Sequence, residues 1–398
     1  MNNSKQAYTY YKQIFKGIQM PFAFVDMDMF NQNTADIIKR AGTKKIRIAS
    51  KSIRCVELIK NIMASNAIFQ GIMCYHPLEA VHLSTQGFDD LLIAYPIYSQ
   101  QHITAICTEI KKGKTIVPMV DLAEHAQLLN RIAAQENCII PVCMDIDMSS
   151  DFGPLHFGVR RSSITTVEQA KTLGELIKTL KNIRLIGIMG YEAQIAGVGD
   201  ITESVAKNIV LPILKKKSVK ELAQRRAAIV KIIKEQGHLL RFVNGGGTGS
   251  AETTINEACV TELAVGSGFF SPGLFDHYKQ FKHLPAAAYA IEITRKPVAN
   301  TFTCYGGGYT ASGSMENNKL PKPYLPIGAK LIETEGAGEV QTPIVYNGTD
   351  QLNLGDPIFM RHAKAGELCE RFNTLLLVKE GKIVNEVKTY RGEGMCFL

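Results

Sequence analysis

The chain has 398 residues, 45% of them hydrophobic and 21% charged, enough for a barrel-sized core and a smaller unit beside it. Its net charge of +8 is dispersed, and the densest basic clusters, Lys215-Lys216-Lys217 and Arg225-Arg226, have no interleaved aromatics, so no nucleic-acid surface is expected. With no apolar run of about 18 residues, no signal-peptide pattern in residues 1–20, and nine scattered cysteines without a CxxC pair, the expectation is a cytoplasmic protein with reduced thiols and no membrane contact.

Taken in chain order, the first extended run is Phe22–Asp28, followed by a helix from about Thr34 that stops at Gly42. Eight further apolar runs read as strands: Ile46–Ser50, Ile68–Met73, Leu91–Ala94, Thr115–Val120, Ile139–Asp145, Ile183–Met189, Leu239–Asn244 and Val260–Val265. Helix-like stretches separate most of them. Pro77–Gln86 opens on a first-turn proline and ends before Gly87. Leu122–Gln135 and Thr166–Leu180 carry helical apolar spacing, and Val219, Leu222, Ile229 and Ile232 mark one face of a helix near 203–236. This alternation predicts an α/β fold, a (β/α)8 TIM-like barrel over residues 29–284, with a doubly wound open sheet as the alternative. After Leu284, Gly/Pro-rich turns punctuate short strand-like runs. They predict an antiparallel β unit over 285–398, to which residues 1–28 are assigned.

In a parallel barrel, chemistry collects at the C-terminal strand ends. Lys51 directly follows the first barrel strand. Such a lysine is either a solvated charge or an amine whose pKa is depressed by neighbouring cations. Asn244-Gly-Gly-Gly-Thr-Gly-Ser250 lies between a strand and a helix-like stretch. It is either a plain turn or a phosphate loop, in which Gly245, Gly246, Gly247, Thr248, Gly249 and Ser250 offer N–H and hydroxyl donors. The Gly266-Ser267 turn after the next strand supports the phosphate reading, because two late-barrel loops are the usual phosphate site. Further on, His362 and Lys364 stand two residues apart, on one face of a strand.

These residues carry a family resemblance. Phe22–Asp28 followed by Ile48-Ala-Ser-Lys51 resembles the opening of fold-type III pyridoxal 5′-phosphate (PLP) enzymes, the group of alanine racemase. The chain is most similar to the D-threonine aldolase and D-serine dehydratase (deaminase) branch. Leu78-Glu-Ala80, Leu91–Pro96, Met144–Asp147, Gly190-Tyr-Glu192, Gly245–Gly249, Glu262–Ser267, Arg361-His362 and Tyr390-Arg-Gly392 follow in the same order. The resemblance implies a PLP Schiff base at Lys51, a phosphate cup at Gly245–Ser250 with Gly266-Ser267, Tyr191 near the cofactor, and a homodimer. Three positions depart from the pattern. His156-Phe-Gly-Val159 stands where relatives have Arg-x-Gly-Val, so either His156 or one of Arg160 and Arg161 faces the cofactor. Ala193-Gln194 replaces Gly-His. Lys364 follows His362 where metal-dependent relatives have a second ligand. Lysine is a poor metal ligand, which leaves His362 as a weak lone candidate. No metal is expected, and the Lys364 ammonium is assigned the place of the cation.

The function expected from this resemblance is a PLP-dependent lyase acting on a β-hydroxy D-amino acid, by aldol cleavage or by dehydration and deamination. Lys51 is then the Cα base and His362 the group acting on the β-hydroxyl. The alternatives are an amino-acid racemase, for which Tyr305 is a guessed second base, and a PLP-binding protein with little catalysis.

Overall fold

The structure, a computed structural model, describes residues 4–201, 204–313 and 317–397. Strand β1 (Phe22–Asp26) precedes the barrel strands β2 (Lys45–Ala49), β3 (Phe69–Cys74), β4 (Leu91–Pro96), β5 (Ile116–Val120) and β6 (Ile140–Asp145). A hairpin of β7 (Ser150–Phe152) and β8 (Leu155–Phe157) intervenes before β9 (Ile183–Gly190), β10 (Phe242–Gly245) and β11 (Glu262–Val265). Parallel pairing runs β2-β3-β4-β5-β6-β9-β10-β11 and returns to β2, so the barrel closes and the open-sheet alternative falls. The hairpin, which carries His156, was not expected from the sequence.

Strand alternation sorts the side chains. On β2, Ile46 and Ile48 are fully buried in the large apolar core, while Arg47 between them is buried on the other face. There its Nε and Nη2 donate to Glu262 Oε1 and Oε2 at 2.7 and 3.0 Å. Its guanidinium lies 4.9 Å from the Phe242 ring centroid. Phe242 belongs with Leu92, Val117, Met119, Cys143 and Met189 to a separate small apolar cluster. Asn244 Nδ2 also donates to Glu262, at 2.9 Å.

The helix expected from about Thr34 begins earlier, at Met27, and runs to Ala41. The reason is local: Asp26 Oδ1 accepts from the N–H groups of Asp28 and Met29 at 3.1 and 3.0 Å, an N-cap that ends β1 abruptly. Gly42, at φ 60°, closes the helix with its N–H on Lys39 O. A longer helix, Val205–Glu235, crosses between β9 and β10 with Pro212 inside it. By contrast, the helix after the glycine loop has only four residues, Ala251–Thr254. A helix dipole therefore adds little there.

The remaining strands are β12 (Ala287–Val298), β13 (Thr301–Tyr305), β14 (Lys322–Leu325), β15 (Lys330–Leu331), β16 (Gln341–Val345), β17 (Pro357–Arg361), β18 (Thr374–Lys379) and β19 (Lys382–Lys388). They form a second sheet, mostly antiparallel, ordered β15-β16-β13-β12-β1-β18-β19, with β17 also on β12 and β14 on β17. The exception to antiparallel pairing is β1 with β18. An N-terminal helix, Ser4–Ile14, packs Tyr8 and Tyr11 against Phe359, and Tyr11 donates to Asp26 Oδ2 at 2.6 Å. All nine cysteines are free, seven of them buried. No helix among the described residues is long and apolar enough to cross a membrane.

Asp26 thus serves both a helix cap and a buried tyrosine. Replacing Asp26 with Ala is expected to cost about 1–2 kcal/mol for the cap and about 1 kcal/mol or more for the unpartnered Tyr11 hydroxyl. Urea unfolding at constant m-value checks this.

Candidate functional site

The C-terminal strand ends open into a cavity of about 1250 Å³. Lys51 lies on its wall, in the single turn Ser50–Ser52 that ends β2. The turn is held from several sides. Ser50 Oγ donates to Met73 O at 2.9 Å, and Arg54 Nε donates to Lys51 O at 2.9 Å while its Nη1 pairs with Glu370. Gly366 presses on it from the second sheet's side. A Cβ there would stand 1.9 Å from Lys51 O, and its φ of 84° favours glycine for a second reason.

By its surface area Lys51 is exposed, and it lines this cavity. Its amine pKa is pushed down first by desolvation, then by the charges of Lys364, Arg161 and Arg54, with Glu367 opposing. A larger share of neutral amine at physiological pH makes Lys51 a nucleophile toward an aldehyde.

Of the glycine loop, Gly246, Gly247 and Thr248 line the cavity, together with Gly266 and Ser267. Gly245, Gly249 and Ser250 lie behind that wall. A Cβ on Gly245 would meet Thr254 at 3.1 Å, and one on Gly249 would meet Ala196 O at 2.4 Å. Ser250 Oγ, expected to be a phosphate donor, instead accepts from Gly247 N at 3.0 Å and donates to Glu192 Oε1 at 3.0 Å. Thr248 Oγ1 accepts from Gly268 N at 3.1 Å, which ties the two late-barrel loops together.

Glu192 is the hub beneath this loop, although in the sequence it is only part of a family motif. Its Oε2 accepts from Gly246 N at 3.1 Å and from Arg226 Nη2 at 2.9 Å, and its Oε1 also accepts from Thr254 Oγ1. Arg226, fully buried, continues to Glu257 at 2.5 Å. Paired and hydrogen-bonded carboxylates of this kind tolerate burial where an isolated one would not. From the other side, Arg40 Nη2 donates to Thr248 O at 2.6 Å, and Arg40 pairs with Glu252. None of these partners has a periodic signature, so sequence reading missed them.

The other expected site residues divide. Tyr191 lines the cavity, and its ring lies 5.9 Å from the Arg161 guanidinium. Arg161 lines the cavity too; Arg160 is exposed and does not. His156, on β8, bonds Asp151 Oδ1 through Nδ1 at 2.8 Å and also lies outside the lining. The hairpin turns it away, which leaves Arg161 to face the site. Gln194 is likewise withdrawn, its Nε2 bonded to Ser218 Oγ at 3.0 Å.

His362 lines a second cavity of about 590 Å³, which shares Lys51, Ser312, Lys364 and Ala365 with the first. It is buried, and neither ring nitrogen has a hydrogen-bond partner. Burial, then the Arg361 charge, push its pKa down to about 3, so it is neutral at physiological pH. Lys364 lines both cavities, with Nζ 2.6 Å from Ser312 Oγ and 3.5 Å from Glu367. Tyr305 is 54% exposed and lines neither cavity. Among the described residues no group of three His, Cys, Asp or Glu side chains could hold a metal. The set as a whole suits a phosphate-bearing aldehyde: a depressed lysine amine, glycines that leave room, hydroxyls and an arginine.

Comparison with known proteins gives a consistent result. A profile of the alanine racemase N-terminal domain matches residues 25–270. A 3-hydroxy-D-aspartate aldolase of Paracoccus denitrificans (strain Pd 1222) is 23% identical over 256 residues, 64% of this chain and 60% of the relative. The match thus spans less than two thirds of that protein. Among solved structures, a D-threonine aldolase from Filomicrobium marinum superposes with a TM-score of 0.81 at 17% identity, over 94% of this chain and 96% of that one. The D-threo-3-hydroxyaspartate dehydratase from Delftia sp. HT23 gives 0.75 at 16%, over 94% and 98%.

Asp145, at the end of β6, offers a test of the site's electrostatics. Burial, then the neighbouring Asp121, raise its pKa from 3.8 to about 8, with Arg161 opposing. The folded state therefore holds a proton that the unfolded chain has already lost, and stability falls as pH rises from about 4 to about 8. Replacing Asp145 with Asn is expected to flatten that decline, measured as melting temperature against pH.

Proposed function

The chain belongs to the alanine racemase N-terminal domain family, and on that premise we propose that it is a PLP-dependent lyase acting on β-hydroxy D-amino acids. The observation that carries this reading is one cavity holding a cation-flanked Lys51, the wall of the glycine loop, and Tyr191 with Arg161. The residues fit the cofactor: a Cβ on Gly247 would lie 3.2 Å from the Tyr191 ring, so the loop's approach there depends on the missing side chain. The names of the relative and of both superposed structures agree with a β-hydroxy D-amino acid substrate.

When bound, PLP supplies an electron sink that lets a bond to Cα break heterolytically. The protein does the rest. Gly246, Gly247, Thr248 and Ser267 would hold the PLP phosphate, and Tyr191 and Arg161 would line the rest of its place. Lys51 would be the amine that holds the cofactor and the base that takes the substrate's Cα proton. His362, neutral and with both nitrogens unsatisfied, acts on the β-hydroxyl. Proton removal from that hydroxyl leads to aldol cleavage, and removal from Cα leads to loss of water and then of ammonia. Lys364 orients the substrate carboxylate or hydroxyl, its ammonium taking the place of a divalent cation. Racemisation is less well served, because Tyr305 is exposed and lines neither cavity. The enzyme is further proposed to be a homodimer. Ile209, Val210 and Ile213 on the long helix expose apolar surface of the kind a subunit contact covers.

Borohydride treatment of the purified protein with PLP is expected to fix the cofactor to Lys51, seen by peptide mass spectrometry together with loss of a visible absorbance band. Replacing Lys51 with Ala should abolish the adduct and lower turnover by about 10³-fold or more. A D-amino acid panel assayed for aldehyde, 2-oxo acid and L-isomer separates the three reactions. EDTA is expected to leave turnover unchanged. Loss with EDTA and recovery with Mn²⁺ or Zn²⁺ would remove Lys364 from the cation's role.

A further inference from the structure

The glycine loop carries a choice that its own residues leave open. Ser250 N donates to Gly247 O at 3.2 Å, so Gly247–Ser250 forms a turn with Thr248 and Gly249 at its centre. In such a turn the central peptide can stand either way up, and the two commonest turn types differ by reversing it. The reversed form needs a positive φ at the third residue, which glycine adopts at little cost. Gly249 is required for a different reason, since a Cβ there would stand 2.4 Å from Ala196 O and 2.6 Å from the Tyr278 ring. Its φ is not positive. The peptide therefore stands in the unreversed sense, although its glycine permits the other.

One side chain decides between them. Arg40 Nη2 donates to Thr248 O, the carbonyl of that central peptide, at 2.6 Å. The guanidinium is itself fixed on several sides. Its Nε and Nη2 donate to Glu252 Oε1 and Oε2 at 2.5 and 3.0 Å, and its Nη1 lies 3.3 Å from His283 Nε2. The Phe281 ring centroid is 3.8 Å from its Cζ. Thr248 lines the large cavity and Arg40 does not. A trans peptide points its N–H opposite to its C=O. With the carbonyl drawn back onto Arg40, the Gly249 N–H points the other way, toward the cavity side of the loop.

We propose that Arg40 is a positioning residue for an anion at the glycine loop: it locks the Thr248–Gly249 peptide so that the loop turns an N–H, and not a carbonyl oxygen, toward the cofactor phosphate. The identity of that anion rests on the PLP reading. Glu252 matches the Arg40 charge, so the effect comes from the direction of one peptide dipole and not from added positive charge. A reversed peptide sets its carbonyl oxygen against the phosphate, where negative charges meet.

The test compares PLP with pyridoxal, which has the aldehyde and no phosphate, as ligands of the apoprotein, read by borohydride capture at Lys51. In the Arg40→Met variant the affinity for PLP is expected to fall about 10- to 100-fold, the range for hydrogen bonds to a charged group, with pyridoxal capture unchanged. Equal losses for both aldehydes would mean that Arg40 only supports the fold, and would overturn the proposal. Removing Arg40 also uncovers Glu252, whose charge repels phosphate by itself. The Arg40→Met/Glu252→Gln variant takes that charge away. The loss of PLP affinity should persist there, and its return to the wild-type value would sink the lock. If the Met variant does not fold, Arg40→Lys serves instead. Its single flexible donor holds the carbonyl less firmly, and binding of PLP but not of pyridoxal should still weaken.

Calorimetry with inorganic phosphate needs no cofactor. The wild-type apoprotein should bind it, and the Arg40→Met variant should bind it about tenfold or more weakly. Equal binding, or none to the wild type, counts against Arg40. The two ideas stay apart: a wild type that captures neither aldehyde at Lys51 ends the lyase reading, while the phosphate comparison still decides the role of Arg40.

Discussion

Arg47 and Glu262 meet inside the barrel at its closing seam, where β11 pairs with β2. Burying two charges is costly unless each is matched. Here the guanidinium fork lies on both carboxylate oxygens, and Asp90 O accepts from Nη1 at 2.7 Å. The pair sets the register of the first and last barrel strands against each other. Asn244 on β10 binds the same carboxylate. Each of these three strands then runs a few residues further into the site. β2 delivers Lys51, β10 the glycine loop, and β11 Gly266 and Ser267. A slip of one residue in this seam would reverse the inward and outward faces and separate the amine from the phosphate wall.

The barrel was legible because its signals are local. Apolar runs bounded by turns, and helices with 3.6-residue spacing between them, are properties of short windows. Lys51 and the two glycine turns could be read for the same reason, since strand ends follow from strands. Boundaries were less secure. The helix expected from about Thr34 starts at Met27 because Asp26 caps it.

What the sequence withheld were the long-range partners. Glu192, Arg226 and Glu257 come from separate segments and meet only in the fold, so no spacing announces them. The choice between His156, Arg160 and Arg161 depended on a hairpin, Ser150–Phe157, too short and polar to stand out. Ser250 was assigned to the wrong side of its loop. Its hydroxyl faces Glu192 because a buried carboxylate beneath the loop requires donors.

The parallel pairing of β1 with β18 has a consequence for the chain as it is made. Ala23 lies beside Leu375, about 350 residues later. During synthesis β1 leaves the ribosome long before either β12 or β18 exists, and the barrel can close while that strand still has two bare edges. An apolar strand of five buried residues, Phe22–Asp26, is then an aggregation hazard for most of the synthesis time. The neighbouring helix Ser4–Ile14, with Tyr11 bonded to Asp26 and packed on Phe24, is available to cover one face of it from the start.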